Sequence, residues 1–137
     1  MKELNDKEAK KELEKGYENA EKLLKDEVKT EKFLQKLERK LKTIPVLGEI
    51  LSRIPVLISL VRSYIRKEYT DVPVRSIIAI VSALIYFLTP VDVIPDVIPG
   101  FGYVDDVSVL TFCLKLVGDD VKEYQKWRQE NNKVFDE

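Results

Sequence analysis

Histidine is absent from this 137-residue chain, and Cys113 is its single cysteine. A serine or cysteine nucleophile activated by imidazole is excluded, because there is no imidazole to take its proton. The usual zinc sites, which draw on histidine and thiolate ligands, go with it. One cysteine cannot close a disulfide within the chain, and inside the apolar run VLTFCLKLV it reads as a small buried hydrophobe. Net charge is equally scarce. A balance of -1, with no long basic stripe, leaves no reason to expect a nucleic-acid partner. The N-terminal MKELNDKEAKKELEKGYENAEK carries charges throughout and lacks the apolar region of a secretory signal, which predicts a cytoplasmic location.

Hydrophobic residues make up 45% of the chain and charged residues 34%, a balance that supports a modest folded core. Residues 1–42 hold 13 Lys and Arg against 11 Asp and Glu. Within them Leu13, Tyr17, Ala20, Leu24 and Val28 recur at alternating four- and three-residue spacing, and Leu34, Leu37, Leu41 and Ile44 resume the stripe. The phase slip between Val28 and Leu34 predicts a break at Thr30. Residues 1–43 therefore read as a charged, amphipathic helical extension, and 44–137 as the domain proper. Two readings of the stripe fit: helices lying on the core, singly or as a hairpin, or a coiled coil for a protein partner or self-association.

IPVL occurs at 44–47 and again at 54–57, and Pro45 and Pro55 each open a helical segment, the second running to about Tyr69. Arg62 and Arg66 share a face of it. With Lys67 and Arg75 they form the one local basic cluster, open to anionic partners such as lipid headgroups or to salt bridges within the chain. Thr70-Asp71-Val72-Pro73 starts the next helix, and the run 76–91 then carries no charge. Its helical length, roughly 24 Å, falls short of the ~30 Å hydrocarbon core. A central buried helix is expected, with a shallow or re-entrant membrane segment as the alternative. A second apolar helix over 104–117 is expected to stop at Gly118, with Asp119 opening a last polar helix that turns Tyr124 and Trp127 to the core. No segment alternates with period two. The predicted fold is all-α, a bundle of five to six short helices around a central antiparallel apolar pair, 77–88 and 104–117.

The connector of that pair, 88–110, gathers Pro90, Pro95, Pro99, Gly100 and Gly102 around Asp92, Asp96, Asp105 and Asp106, the only acidic residues between Asp71 and Asp119. Residues 86–109, YFLTPVDVIPDVIPGFGYVDDVSV, resemble the signature of the YkvA family, a domain of unknown function. The match runs through Thr89, Pro90, Asp92, Ile94, Pro95, Asp96, Ile98, Pro99, Gly102, Tyr103, Asp105 and Asp106, and the resemblance covers 60–117. It implies a bacterial protein of a family without an established activity, many of whose members are predicted to be membrane-associated. Location at or in the cytoplasmic membrane is the corresponding expectation.

The residues themselves leave two roles for the carboxylates. In one they cap backbone N–H groups at turns and at the first turn of the following helix, helped by an arginine such as Arg62, Arg66 or Arg75. In the other they hold Mg²⁺, Mn²⁺ or Ca²⁺ together with loop carbonyls and water. With a cation bound, hydrolysis of a phosphate ester becomes conceivable, Tyr103 and Thr89 being the nearest polar groups. Titrating the chain and Asp92→Asn with the three ions separates these roles, since the cation reading requires binding that the substitution weakens. The chain thus reads as a helical scaffold or interaction module, with a divalent-metal-dependent hydrolase as the alternative.

Overall fold

The computed structural model describes residues 5–43, 49–92 and 101–131, with the backbone alone for 89–92 and 101–107. Their order is α1 (Asp6–Lys15), α2 (Tyr17–Leu24), α3 (Glu27–Lys42), a 3-10 turn (Leu51–Arg53), α4 (Ile54–Ile65), α5 (Val74–Asp92) and α6 (Phe101–Glu130). No strand occurs among the described residues, so the all-α expectation holds.

α1 begins where Asn5 and Glu8 exchange side-chain and backbone hydrogen bonds, at 2.8 and 3.1 Å, a capping box that satisfies two free N–H groups. α3 begins where the Asp26 carboxylate accepts the Lys29 amide at 3.0 Å. The break therefore lies at Lys25 and Asp26 and not at Thr30. Thr30 sits in the first turn of α3, fully buried, its hydroxyl shared between the Leu23 and Asp26 carbonyls at 2.7 and 2.9 Å. Restarting the helix at Asp26 resets its phase. Thr30, Leu34 and Leu37 turn inward, while Val28 is left 64% exposed.

A further break, at Gly16, gives no signal in the apolar stripe. Its cause is tertiary: a Cβ at Gly16 would collide with Ser82 Oγ of α5, whose hydroxyl donates to the Leu13 carbonyl at 2.6 Å. The corner between α1 and α2 thus fits against α5 only because Gly16 has no side chain.

α4 opens with Pro55 in its first turn, as expected. It ends at Ile65, short of Tyr69, because Lys67 takes φ 61° and the chain reverses. The Glu68 amide donates to the Ser63 carbonyl at 2.9 Å and the Lys67 amide to that of Tyr64 at 3.0 Å, the paired bonds of a Schellman motif. A lysine in the position usual for glycine hides this stop from the sequence.

α5 is the axis of the molecule, in contact with each of the other five α-helices. Ile77, Ile80, Val81, Ala83 and Leu84 have no exposed surface. α6 lies antiparallel to it, with the Ser76 hydroxyl donating to Asp120 at 2.6 Å and Cys113 Sγ reaching the Ala79 carbonyl at 3.6 Å. Leu13, Ala20, Leu34 and Leu37 of the first three helices join the same core. Pro90 does not end α5, which runs on to Asp92. Lys40 of α3 closes this end: its ammonium donates to the Phe87 carbonyl at 2.6 Å and lies 4.2 Å from the Phe87 ring centre, a cation at the negative end of the helix.

α6 also corrects an expectation, since it passes through Gly118 as one helix of 30 residues in place of two shorter ones. Val109, Leu110, Cys113, Val117, Val121 and Tyr124 form one buried stripe that crosses Gly118 without a change of phase. Packing along that stripe outweighs the helix cost of one glycine, about 1 kcal/mol. A Cβ at Gly118 would meet no atom within 4 Å. Gly118→Ala should therefore raise stability by about 0.5–1 kcal/mol, read as a higher urea midpoint at unchanged slope.

Candidate functional site

α4 and the Arg66 that caps it carry one polar stripe: Ser59, Arg62, Ser63 and Arg66, spaced as neighbours on a single helical face that meets α3 and α6. Across from it stand α3, with Glu31, Glu38, Leu41 and Lys42, and the last turns of α6, with Tyr124 and Arg128. Between them opens a cleft of about 540 Å³, lined on the polar side by Ser59, Ser63, Arg66 and Arg128 and on the apolar side by Leu41, Pro55 and Ile58.

Two hydrogen-bonded groups shape this cleft. At its base the buried Tyr124 hydroxyl lies 2.6 Å from Ser59 Oγ and 2.9 Å from Ser63 Oγ, and Arg128 Nη1 donates to both Ser59 Oγ and Tyr124 at 3.0 Å. Tyr124 is also held from the side, in an aromatic cluster with Tyr69 and Trp127 whose ring centres lie 5.0–5.9 Å apart. Trp127 is thus a core-packing aromatic, as its spacing suggested. Toward α3, Arg62 binds two carboxylates at once: Nε and Nη2 donate to Glu31 at 3.0 and 2.9 Å, and Nη1 and Nη2 to Glu38 at 2.9 and 3.0 Å. These bonds from Arg62 hold the Glu38 carboxyl below its ordinary value despite partial burial. The bonds with Glu38, and secondarily Glu31, in turn raise the Arg62 guanidinium above its usual value.

The basic cluster read from the sequence therefore divides. Arg62 is taken up by Glu31 and Glu38 of α3. Arg66 is half-exposed, its Nη2 3.8 Å from Glu31, and Lys67 and Arg75 are exposed at the corner between α4 and α5. The pairing with Glu31 and Glu38 left no mark in the sequence, because it spans 31 and 24 residues. The stripe on α4 did, through its spacing, and so did the four-residue step from Tyr124 to Arg128.

Asp96, Pro95, Pro99 and Gly100 lie outside the described residues. Backbone positions place Asp92 as the last residue of α5, with Thr89 and Pro90 in its final turn. Gly102, Tyr103, Asp105 and Asp106 fall in the opening turns of α6, which starts at Phe101 and so puts the double aspartate one turn deeper than expected. Among the described residues no group of three or more His, Cys, Asp or Glu stands ready to hold a metal ion. Cys113 is buried, and burial pushes its thiol up to about 12, far from a reactive thiolate.

No helix among the described residues is long and apolar enough to cross a membrane. Residues 76–112, which take in α5 from Ser76 and the first part of α6, match the model of a family described as protein of unknown function (DUF1232). The chain is similar to the uncharacterized membrane protein YkvA of Bacillus subtilis (strain 168), with 31% identity over 78 residues covering 57% of this chain and 74% of that protein. No solved structure matches. A signature that runs from α5 into α6, together with a relative matched over most of its length, shows that this chain belongs to the YkvA family of proteins of unknown function.

Proposed function

We propose that this chain is a helical interaction module that works at the cytoplasmic membrane from its surface, without inserting α5. One observation carries the reading. The uncharged stretch of α5, the part of the chain best suited to lipid, already contacts all five other α-helices, and its described side chains, 76–88, are buried or half-buried within the protein. Removing it from that core to reach lipid would exchange one apolar environment for another and expose the faces of its neighbours. The name of the Bacillus relative, a membrane protein, supports a membrane location. Exposed Arg66, Lys67 and Arg75 supply charge for anionic headgroups, and Glu68 and Asp71, exposed on the same stretch, keep that attraction weak and sensitive to salt.

Flotation with vesicles and fractionation of cells test the proposal together. The protein should rise with phosphatidylglycerol vesicles at low salt, stay behind with pure phosphatidylcholine, and leave native membranes in high salt or alkaline carbonate. A membrane pool that resists carbonate would show insertion and overturn the surface reading. Failure to bind anionic vesicles at low salt would overturn the membrane reading itself.

A further inference from the structure

We propose that the outer face of α3, carrying Lys29, Lys32, Lys36 and Arg39 with Val28 beside them, is the surface that lies on an anionic lipid bilayer. It rests on the membrane reading above and names the face that serves it. On a helix of 3.6 residues per turn the four cations fall within about 80° of one another, in a stripe roughly 15 Å long. Sequence order hides it, because Glu27, Glu31 and Glu38 are interleaved with the cations. The fold sorts the two signs. Thr30, Leu34 and Leu37 are buried on the core side, and Glu31 and Glu38 turn toward α4, where Arg62 binds both. Glu27 stands nearly opposite the stripe on the helix, and the Asp26 carboxylate is engaged as the cap on the Lys29 amide. All four cations are exposed, and none forms an ion pair among the described residues.

The character of this face suits lipid better than another polyanion. Val28, 64% exposed and one turn before Lys32, is an apolar group that can enter the acyl boundary and has no use for a phosphate chain. Three of the four cations are lysines, whose long stems reach outward to headgroups from a helix lying along the surface. The stripe lies on the outside of one helix, and anionic lipids that diffuse laterally gather against it without a fitted groove. At the corner between α4 and α5, by contrast, Lys67 and Arg75 stand among Glu68 and Asp71.

Binding to phosphatidylglycerol vesicles at low salt is compared for the full chain, for Lys29→Gln/Lys32→Gln/Lys36→Gln, and for Lys115→Gln/Lys122→Gln/Lys126→Gln. The second set removes the same charge from α6, where Asp119 and Glu123 interrupt the lysines and Lys115 meets Asp6. All six lysines are exposed, and thermal melting by circular dichroism checks that each variant keeps its fold. Partitioning of the α3 variant should fall about a hundredfold, from the usual attraction per basic residue near an anionic surface, and that of the α6 variant less than about threefold. A fluorophore on Val28→Cys, attached there alone because Cys113 is buried, should shift to the blue on the same vesicles. Equal losses in the two variants would assign the attraction to net charge and overturn the face. Undiminished binding by the α3 variant, or a label at position 28 that stays in water, would do the same while the membrane reading stands, since the wild type still floats. Failure of the wild type to float overturns that reading and this face together. Tighter binding of duplex DNA or polyglutamate than of vesicles gives the stripe to another polyanion and overturns the lipid.

Discussion

Tyr124→Phe is expected to destabilise the protein by about 2–3 kcal/mol, although it deletes one oxygen atom and leaves the ring in place. The hydroxyl is the centre of the knot at the cleft base: two serines of α4 and Arg128 of α6 all bond to it, and the residue has no exposed surface. Phenylalanine retains the stacking with Tyr69 and Trp127, so ring packing is a constant of the comparison. What is lost is the acceptor and donor that α4 and α6 share, leaving the buried Ser63 hydroxyl without this partner. Urea unfolding followed by circular dichroism measures the change. A loss below about 0.5 kcal/mol, the range of ordinary surface substitutions, would mean that solvent replaces the hydroxyl and that the knot contributes little. Ser59→Ala in both backgrounds then apportions the coupling, which should differ from additivity because the two groups touch.

Arg62→Met should cost about 2 kcal/mol at neutral pH, with a clear dependence on acid. Methionine keeps much of the apolar stem and removes the guanidinium, so Glu31 and Glu38 face each other without the cation that binds both. A fully buried pair would lose about 3–5 kcal/mol on such a change; the exposure of Glu38, 42%, argues for the smaller figure. The Glu38 carboxyl is held low in the folded state, chiefly by its bonds from Arg62, so folding favours its ionised form. The contribution is complete above the ordinary carboxylate range and is lost as pH falls through the depressed folded value. Arg62, shifted upward, stays charged throughout. Wild type and variant should therefore differ most near neutrality and converge in acid. A gap that persists undiminished at low pH would assign the cost to packing instead of charge.

The all-α class and the buried place of α5 were legible in the sequence because an uncharged run too short for a bilayer leaves few other solutions. Pro55 at the start of α4 was legible for a similarly local reason. The errors share a different origin. Gly118 was read as a stop, Thr30 as a break and Tyr69 as a helix end, and each time a feature the pattern does not display decided: a core stripe running through Gly118, the Asp26 cap setting the phase around Thr30, a Schellman turn with lysine at Lys67. At the candidate site the sequence showed one wall and not the other. Arg62 and Arg66 could be read as a face of α4, whereas Glu31, Glu38 and Tyr124 become neighbours of that face only through the packing of α3 and α6. The aspartate signature was enough to identify the family.

The enclosure of α5 sets an order of events on the ribosome. Helices α1 to α4 are synthesised first, and each of them is a partner for α5 when it follows. The side that belongs to α6 stays bare until the stretch from Val109 to Tyr124 has been made. During that interval the nascent chain displays its least polar segment to any factor that sorts emerging hydrophobic stretches. Translation of α6 withdraws it.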